Sequence, residues 1–392
     1  FFFIIYYYLL MFLYLNINIY YNYSMIPIYK PFLEKYKTSA INAIDEEWIS
    51  NYGKYITLAE NELKNIVKCK YVILMNNGTS ATSCIYIALK YKYPNLKKIY
   101  VPNNVFIAVW NCGLLEYPPN IFELLKINEN TLIMDTSEEY IKTLEKNSAI
   151  VIVHNLGNII NVARLKRIRP DIILIEDNCE GLFGKYEDNY TGCCKDVLCS
   201  SISFYANKTI TTGEGGAFLT NDNKIYKHIK QVYSHGMTDE RYIHNTLARN
   251  YRMTNICAGL LYDQLKDYNT ILTMKKTVFD TYHIYLKNLI ELNKIKIIVS
   301  EENTVKALWM FTIIIPNISF KLFENYMIEK NIQIRPIFYA ITKHEHLKKI
   351  NYNNETLFSK EITNNGIMLP SYPELKELDI KYICLCIQEY LS

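Results

Sequence analysis

Arginine is scarce in this chain of 392 residues: Arg164, Arg167, Arg169, Arg241, Arg249, Arg252 and Arg335 are all it has. Lysine supplies the rest of the basic charge, and 43 basic residues against 39 acidic ones leave a formal +4. So slight an excess implies no polyanion-binding face, and nucleic acid is not an expected partner. Where lysine is favoured, an arginine is held for its planar fork, which directs attention to Arg252 and Arg335. Cysteine is sparse too. Ten cysteines with no C-x-x-C spacing exclude a disulfide scaffold and offer no zinc or other metal site. A reducing, cytoplasmic setting is the expectation. No stretch is rich enough in Pro, Gly or Ser to read as a linker, and no internal repeat is present.

Charge is also missing from the start of the chain. Residues 1–15 (FFFIIYYYLLMFLYL) are almost wholly apolar, and nothing charged precedes Lys30. A membrane span needs about 20 apolar residues, and a secretory signal needs a basic start and a cleavage site. The chain begins with Phe, whereas Met25 opens an ordinary run, MIPIYKPFL. Residues 1–24 are therefore expected to stand apart from the fold, with no stable membrane association.

What remains has globular composition, 50% apolar and 21% charged. Short apolar runs at 71–75, 98–102, 131–134, 149–154, 171–176, 199–204 and 216–220 read as strands. Several are continuous rather than alternating, as in a parallel sheet covered on both faces. Helices are expected at 79–91, 106–115 and 137–145 between them. This is α/β, a doubly wound, mostly parallel sheet. Helical patterns at 241–268 and 272–292 would bridge to a smaller α+β unit, with strands at 306–315 and 332–338 and helices at 320–330 and 375–391. The division is a large domain over 25–270 and a small one over 271–392.

Open α/β sheets bind ligands outside the carboxyl ends of their strands, so the loops after them carry the argument. After 71–75 comes Asn76-Asn77-Gly78-Thr79-Ser80-Ala81, opening a helix. Gly78 permits the turn and the helix start offers amides to a phosphate, although the same residues make an ordinary cap. After 98–102, Phe106 is placed at the mouth as a stacking face or as core packing. Asp177 follows 171–176 and reads as a cap, a metal ligand or the partner of a cationic heterocycle. After 199–204, Lys208 lies between an apolar strand and a glycine turn that re-enters another strand. Partial desolvation there would lower its pKa and free the amine as a Schiff-base nucleophile. A phosphate cradle, an aromatic face, a carboxylate and such a lysine together suit pyridoxal 5′-phosphate (PLP).

SFYANKTITTGEGGAFLTND (203–222), IEDNCEGLFGKY (175–186), NNGTSAT (76–82) and NYRMTNICAGLLYDQL (250–265) resemble the DegT/DnrJ/StrS family of PLP-dependent nucleotide-sugar aminotransferases. WISNYGKYI, SHGM, IRPIFY and LPSYPEL extend the resemblance, in order, from Met25 to the C-terminus. It implies a fold-type-I aminotransferase. By position, Lys208 would carry the cofactor and later move the proton between cofactor and substrate carbons, and Asp177 would pair with the pyridinium nitrogen. Phe106 would stack on the ring. Thr79, Ser80 and Ser203, with Gly78 at the turn, would hold the phosphate. Asn250 falls where the family brings an Asn from the partner subunit, implying a homodimer with shared active sites. Arg335, in the Arg-Pro segment, stands on the substrate side.

The chain departs from the family pattern in places. Glu180 stands where Gln or His is common, near the cofactor's phenolic oxygen. A carboxylate there is unfavourable unless it is protonated or turns away. Val105 replaces a common Thr, Trp110 is nearby, and VHNLGN (153–158) lacks the usual Pro. A dehydratase branch carries His at the cofactor-binding position; Lys208 instead implies transamination. NKTITTGEGG resembles members acting at C4 of a 4-keto-6-deoxy sugar carried on UDP, dTDP or GDP, with L-glutamate as amino donor. The alternative from another class is a catalytically silent PLP-binding regulatory protein or scaffold of the same fold, which intact Lys208 and Asp177 argue against. Of the other residues, His154 is either near the cofactor or satisfied by backbone, and Cys193 and Cys194 read as loop thiols. His344 and His346 read as solvated, Glu187 and Asp188 as a turn, and Glu214 as a substrate contact or a cap.

Overall fold

The structure is a computed structural model that describes residues 25–348, 350 and 355–392. The apolar leader lies outside the described residues. Two helices open the described chain, α1 (Thr38–Asp45) and α2 (Lys54–Val67). The large sheet and its crossovers follow: β1 (Tyr71–Met75), α3 (Gly78–Lys92), β2 (Lys98–Pro102), α4 (Ala108–Glu116), β3 (Phe122–Leu125), α5 (Glu138–Thr143), β4 (Ser148–Val153), α6 (Val162–Ile168) and β5 (Ile173–Asp177). A short hairpin, β6 (Lys185–Tyr186) and β7 (Asn189–Tyr190), precedes β8 (Ser200–Ser203) and β9 (Gly216–Thr220). Next come α7 (Asn223–Val232), α8 (Asn255–Lys266) and the long α9 (Tyr268–Glu291). The remainder is β10 (Lys296–Ile297), β11 (Thr304–Val305), β12 (Phe311–Ile314), α10 (Phe320–Glu329), β13 (Arg335–Pro336), α11 (Leu357–Asn365), β14 (Gly366–Leu369) and α12 (Glu377–Tyr390).

Seven strands form the large sheet in the order β1-β9-β8-β5-β4-β2-β3. Every pair from β8 to β3 is parallel, and β9 runs against both of its neighbours. The continuous apolar runs have their expected cause. Along β4, Ile150 and Ile152 enter one core while Ala149, Val151 and Val153 enter the other, so neither face meets water. Helix α3 packs over β8, β9 and β5 and is buried at ten of its fifteen positions, including Ser80, Thr82 and Ser83. Its start is thereby fixed over the carboxyl ends of the central strands. The small sheet, β10-β12-β14-β13, is antiparallel and packs its own core around Tyr282, Phe311, Phe323 and Ile383. Ile26 joins that core through a bridge to Ile332.

Two expected elements are corrected. The strand at 131–134 is absent; the edge strand is β3, Phe122–Leu125, which pairs with β2. Leu132 takes φ 55°, and Asn128 Oδ1 accepts from the amides of Asn130 and Thr131, which makes this segment a turn. The helix at 241–268 exists only as α8, Asn255–Lys266. Before it the chain is held by isolated bridges, Met237 to His244 and Ser234 to Asn250, with Tyr242 at φ 68°. Among the described residues no helix is long and apolar enough to cross a membrane.

Candidate active site

The site begins where β1 ends. Asn77 caps α3, its Oδ1 accepting from the Ser80 amide at 2.8 Å, which leaves the Gly78 and Thr79 amides without helical acceptors. Gly78 is required by close approach: a Cβ there would lie 2.6 Å from Ser203 Cβ. Without that atom, the end of β8 and the start of α3 meet. Asn77, Gly78, Thr79 and Ser203 line one end of a cavity of about 550 Å³, and Ser80 is buried beside them. Amides at a helix start, two hydroxyls and the positive end of the helix dipole suit a phosphate.

Asp177 closes β5 and faces the same cavity. Its Oδ1 accepts from the Cys179 amide at 3.0 Å and its Oδ2 from the Thr82 hydroxyl at 3.3 Å. Burial pushes its carboxyl above the usual range, against the pull of those hydrogen bonds and of the Lys208 charge. A buried carboxylate so placed is suited to a protonated ring nitrogen. Glu180, one turn further on, is buried as well; its Oε2 accepts from the Leu156 amide at 2.8 Å. Burial raises Glu180 to about 7, with the Lys208 charge opposing.

Lys208 extends from the turn after β8 with its side chain 13% exposed. Its Nζ stands 3.9 Å from Glu180 Oε1 and 4.3 Å from the centre of the Trp309 ring. Trp309 Nε1 donates to the Asn207 carbonyl at 3.1 Å, which braces the lysine's own turn. Phe106 is 52% exposed, so it is no core residue; its ring lies 5.8 Å from that of Phe338 on the opposite wall. Arg335 also lines the cavity, from β13, its guanidinium 5.3 Å from the Tyr29 ring.

The fold thus brings Gly78, Thr79, Phe106, Asp177, Glu180, Ser203 and Lys208 to one cavity, together with Glu214 and Arg335. Asn250 is elsewhere: it is exposed, bridged to Ser234, and no part of its own chain's cavity lining. His154 is fully buried and committed. Its Nδ1 accepts from the Ile160 amide, so Nε2 carries the proton and donates to Glu176 at 2.9 Å. Cys193 and Cys194 lie in a loop, as expected, and are buried there. His346 meets Asn111 Oδ1 at 2.7 Å. Sequence reasoning missed Trp309 and Thr82. Trp309 had a usable signal, being one of three tryptophans and lying within the run at 306–315 that reads as a strand; Thr82 had none beyond its place one turn into α3.

A carboxylate at the end of β5, an amine beyond β8, an aromatic ring at the mouth and a helix start at the far end fit the four groups of PLP. Comparison with known proteins agrees with that chemistry. GDP-perosamine synthase of Escherichia coli O157:H7 is 30% identical over 373 residues, covering 94% of this chain and 99% of that protein. GDP-perosamine synthase of Vibrio cholerae is 29% identical over 386 residues, covering 94% and 100%. Among solved structures, Helicobacter pylori PseC, an aminotransferase of pseudoaminic acid biosynthesis, superposes with a TM-score of 0.82 at 20% identity, covering 94% of this chain and 99% of its own. That last likeness is one of fold. Residues 33–388 match the model of the DegT/DnrJ/EryC1/StrS aminotransferases over most of the chain, and the protein belongs to that family.

Proposed function

We propose that this PLP-dependent sugar-nucleotide aminotransferase moves an amino group from L-glutamate to C4 of a GDP-linked 4-keto-6-deoxy sugar. The observation that carries the reading is convergence: Lys208, Asp177 and the start of α3, from three separate strand ends, line one cavity. PLP, when bound, supplies an electron sink for the carbon that loses its proton. Lys208 is the amine that carries the cofactor and then moves that proton. Asp177 holds the ring nitrogen charged. Gly78, Thr79, Ser80 and Ser203 seat the phosphate, and Phe106 covers the ring. The GDP handle is supported by the two perosamine synthases that resemble the chain over nearly its whole length.

A homodimer completes the reading. Asn250 lies outside its own chain's cavity, on a segment where Tyr242 is 71% and Leu247 99% exposed. Apolar side chains so exposed are suited to burial against a second copy, which would receive Asn250 in its site.

The test is optical. The purified protein should take up PLP with the visible absorbance of a lysine-bound cofactor, and L-glutamate should bleach it. GDP-4-keto-6-deoxy-D-mannose should then restore the band and become aminated, whereas the UDP and dTDP analogues should turn over more slowly. Lys208→Ala should give no such band. A band that glutamate leaves unchanged would favour the silent scaffold instead.

A further inference from the structure

Three carboxyls line the cavity: Asp177, Glu180 and Glu214. Asp177 is engaged by Cys179 and Thr82, and Glu214 is exposed on the glycine turn. Glu180 is buried, and its two oxygens are used differently. Oε2 pins the Leu156 amide, in a turn where Leu156 takes the left-handed φ of 56°. That bond turns one edge of the carboxyl away from the cavity and fixes where the other must lie. Oε1 is left on the cavity side, 3.9 Å from Lys208 Nζ, an ion-pair contact beyond hydrogen-bond distance.

The groups facing this pair are few. Asp177 comes from β5, with the Cys179 thiol just beyond it. Behind Glu180, His154 at the end of β4 is committed to Glu176 and Ile160. From the small sheet, Arg335 lines the cavity. Burial sets Glu180 at about 7, so near neutral pH this carboxyl gives up or accepts a proton readily.

We propose that Glu180 is the acid–base partner of Lys208, taking a proton from its ammonium and returning it. In the exchange an N–H bond at Lys208 breaks and an O–H bond at Glu180 Oε1 forms. Ammonium and carboxylate become amine and carboxylic acid, with no change in net charge. A small turn of the lysine side chain or a single water closes the distance. In its acid form Glu180 would also be able to donate to the phenolic oxygen that the family resemblance puts on this side of the cofactor. The inference rests on Lys208 being the reactive amine of the proposed transaminase.

The test titrates the two groups separately from turnover. In the full chain with cofactor removed, infrared spectra should show a carboxylic-acid carbonyl that titrates near 7 and is missing from Glu180→Gln. In Lys208→Ala the same band should titrate higher, because the neighbouring positive charge is gone. In the PLP-loaded protein, Glu180→Gln should shift the pH midpoint of the visible band by about one unit or more. The glutamate half-reaction should slow about 10²-fold at neutral pH. A Glu180 midpoint that is the same in Lys208→Ala as in the unaltered protein overturns the proposal, and so does an unchanged visible titration in Glu180→Gln. Should Glu180→Gln not hold the cofactor, the infrared comparison decides by itself. Failure of glutamate to bleach the unaltered protein would sink the transaminase reading while leaving these titrations standing.

Discussion

Lys275 and Trp309 are joined by a buried hydrogen bond, Lys275 Nζ donating to the Trp309 carbonyl at 2.6 Å. The same ammonium donates to the Ser371 carbonyl, and the lysine is 3% exposed. Burial brings it down to about 7. One side chain on α9 therefore ties the segment before β12 to the segment after β14. The indole carried by the first of these lies against Lys208.

Lys275→Met should leave both carbonyls buried without a donor. An orphaned buried acceptor costs about 1–3 kcal/mol, so a loss at the upper end of that range or beyond is expected in urea unfolding. A variant as stable as the original would show that relief from burying the ammonium offsets the two orphaned carbonyls.

Glu180 makes stability depend on pH in a direction that can be stated. Its carboxyl moves from an ordinary 4.5 to about 7 on folding, so between these values the folded chain binds more protons than the unfolded one. Stability from this group is full below the lower value and is lost as pH rises through the upper one, by up to about 3 kcal/mol. Glu180→Gln should therefore gain relative to the unaltered protein as pH rises from 5 to 8, in cofactor-free samples followed by thermal unfolding. A stability difference that does not vary with pH would contradict this.

Gly78→Ala tests the phosphate end. The new methyl would lie within 2.6 Å of Ser203 Cβ, so the start of α3 or the end of β8 must move. A cost of about 1–3 kcal/mol is expected, appearing mainly as weaker PLP binding. Spectrophotometric titration with PLP measures it; unchanged affinity would place the phosphate elsewhere.

Asp177→Asn removes the charge while keeping the shape. The amide cannot hold a ring nitrogen protonated, and the glutamate half-reaction should slow by about 10²–10³-fold with PLP still bound. Stopped-flow loss of the visible band reads this directly.

Shared sites make a further prediction about mixtures. If Asn250 serves the partner's cavity, Lys208→Ala and Asn250→Ala chains, each inactive, should regain activity when dissociated and reassociated together. In a mixed dimer one site is intact and the other doubly defective, so about a quarter of full activity is expected. No recovery would place Asn250 in its own chain's chemistry or in none.

Much of this was legible in the order of residues. The runs at 71–75, 98–102 and 216–220 appear as β1, β2 and β9 with the same bounds, because a strand buried on both faces has no choice but to be continuously apolar. Lys208, Asp177 and Phe106 stood out because each follows such a run. The turn at 128–134 and the bridged segment before α8 did not read correctly. Apolar residues such as Leu132, Tyr242 and Leu247 carry the same hydrophobic signal whether they continue an element or sit in a turn at positive φ or in solvent.

Local sequence determined which chemistries were on offer: an amine beside a glycine turn, a carboxylate after a strand, a cap of small residues at a helix start. Tertiary structure alone decided which of them meet. Trp309 lies 101 positions from Lys208 and Lys275 lies 34 from Trp309, and no local pattern links them. The parallel sheet sets its strand ends side by side, and burial then gives Glu180 and Lys275 acid strengths that neither would have in water.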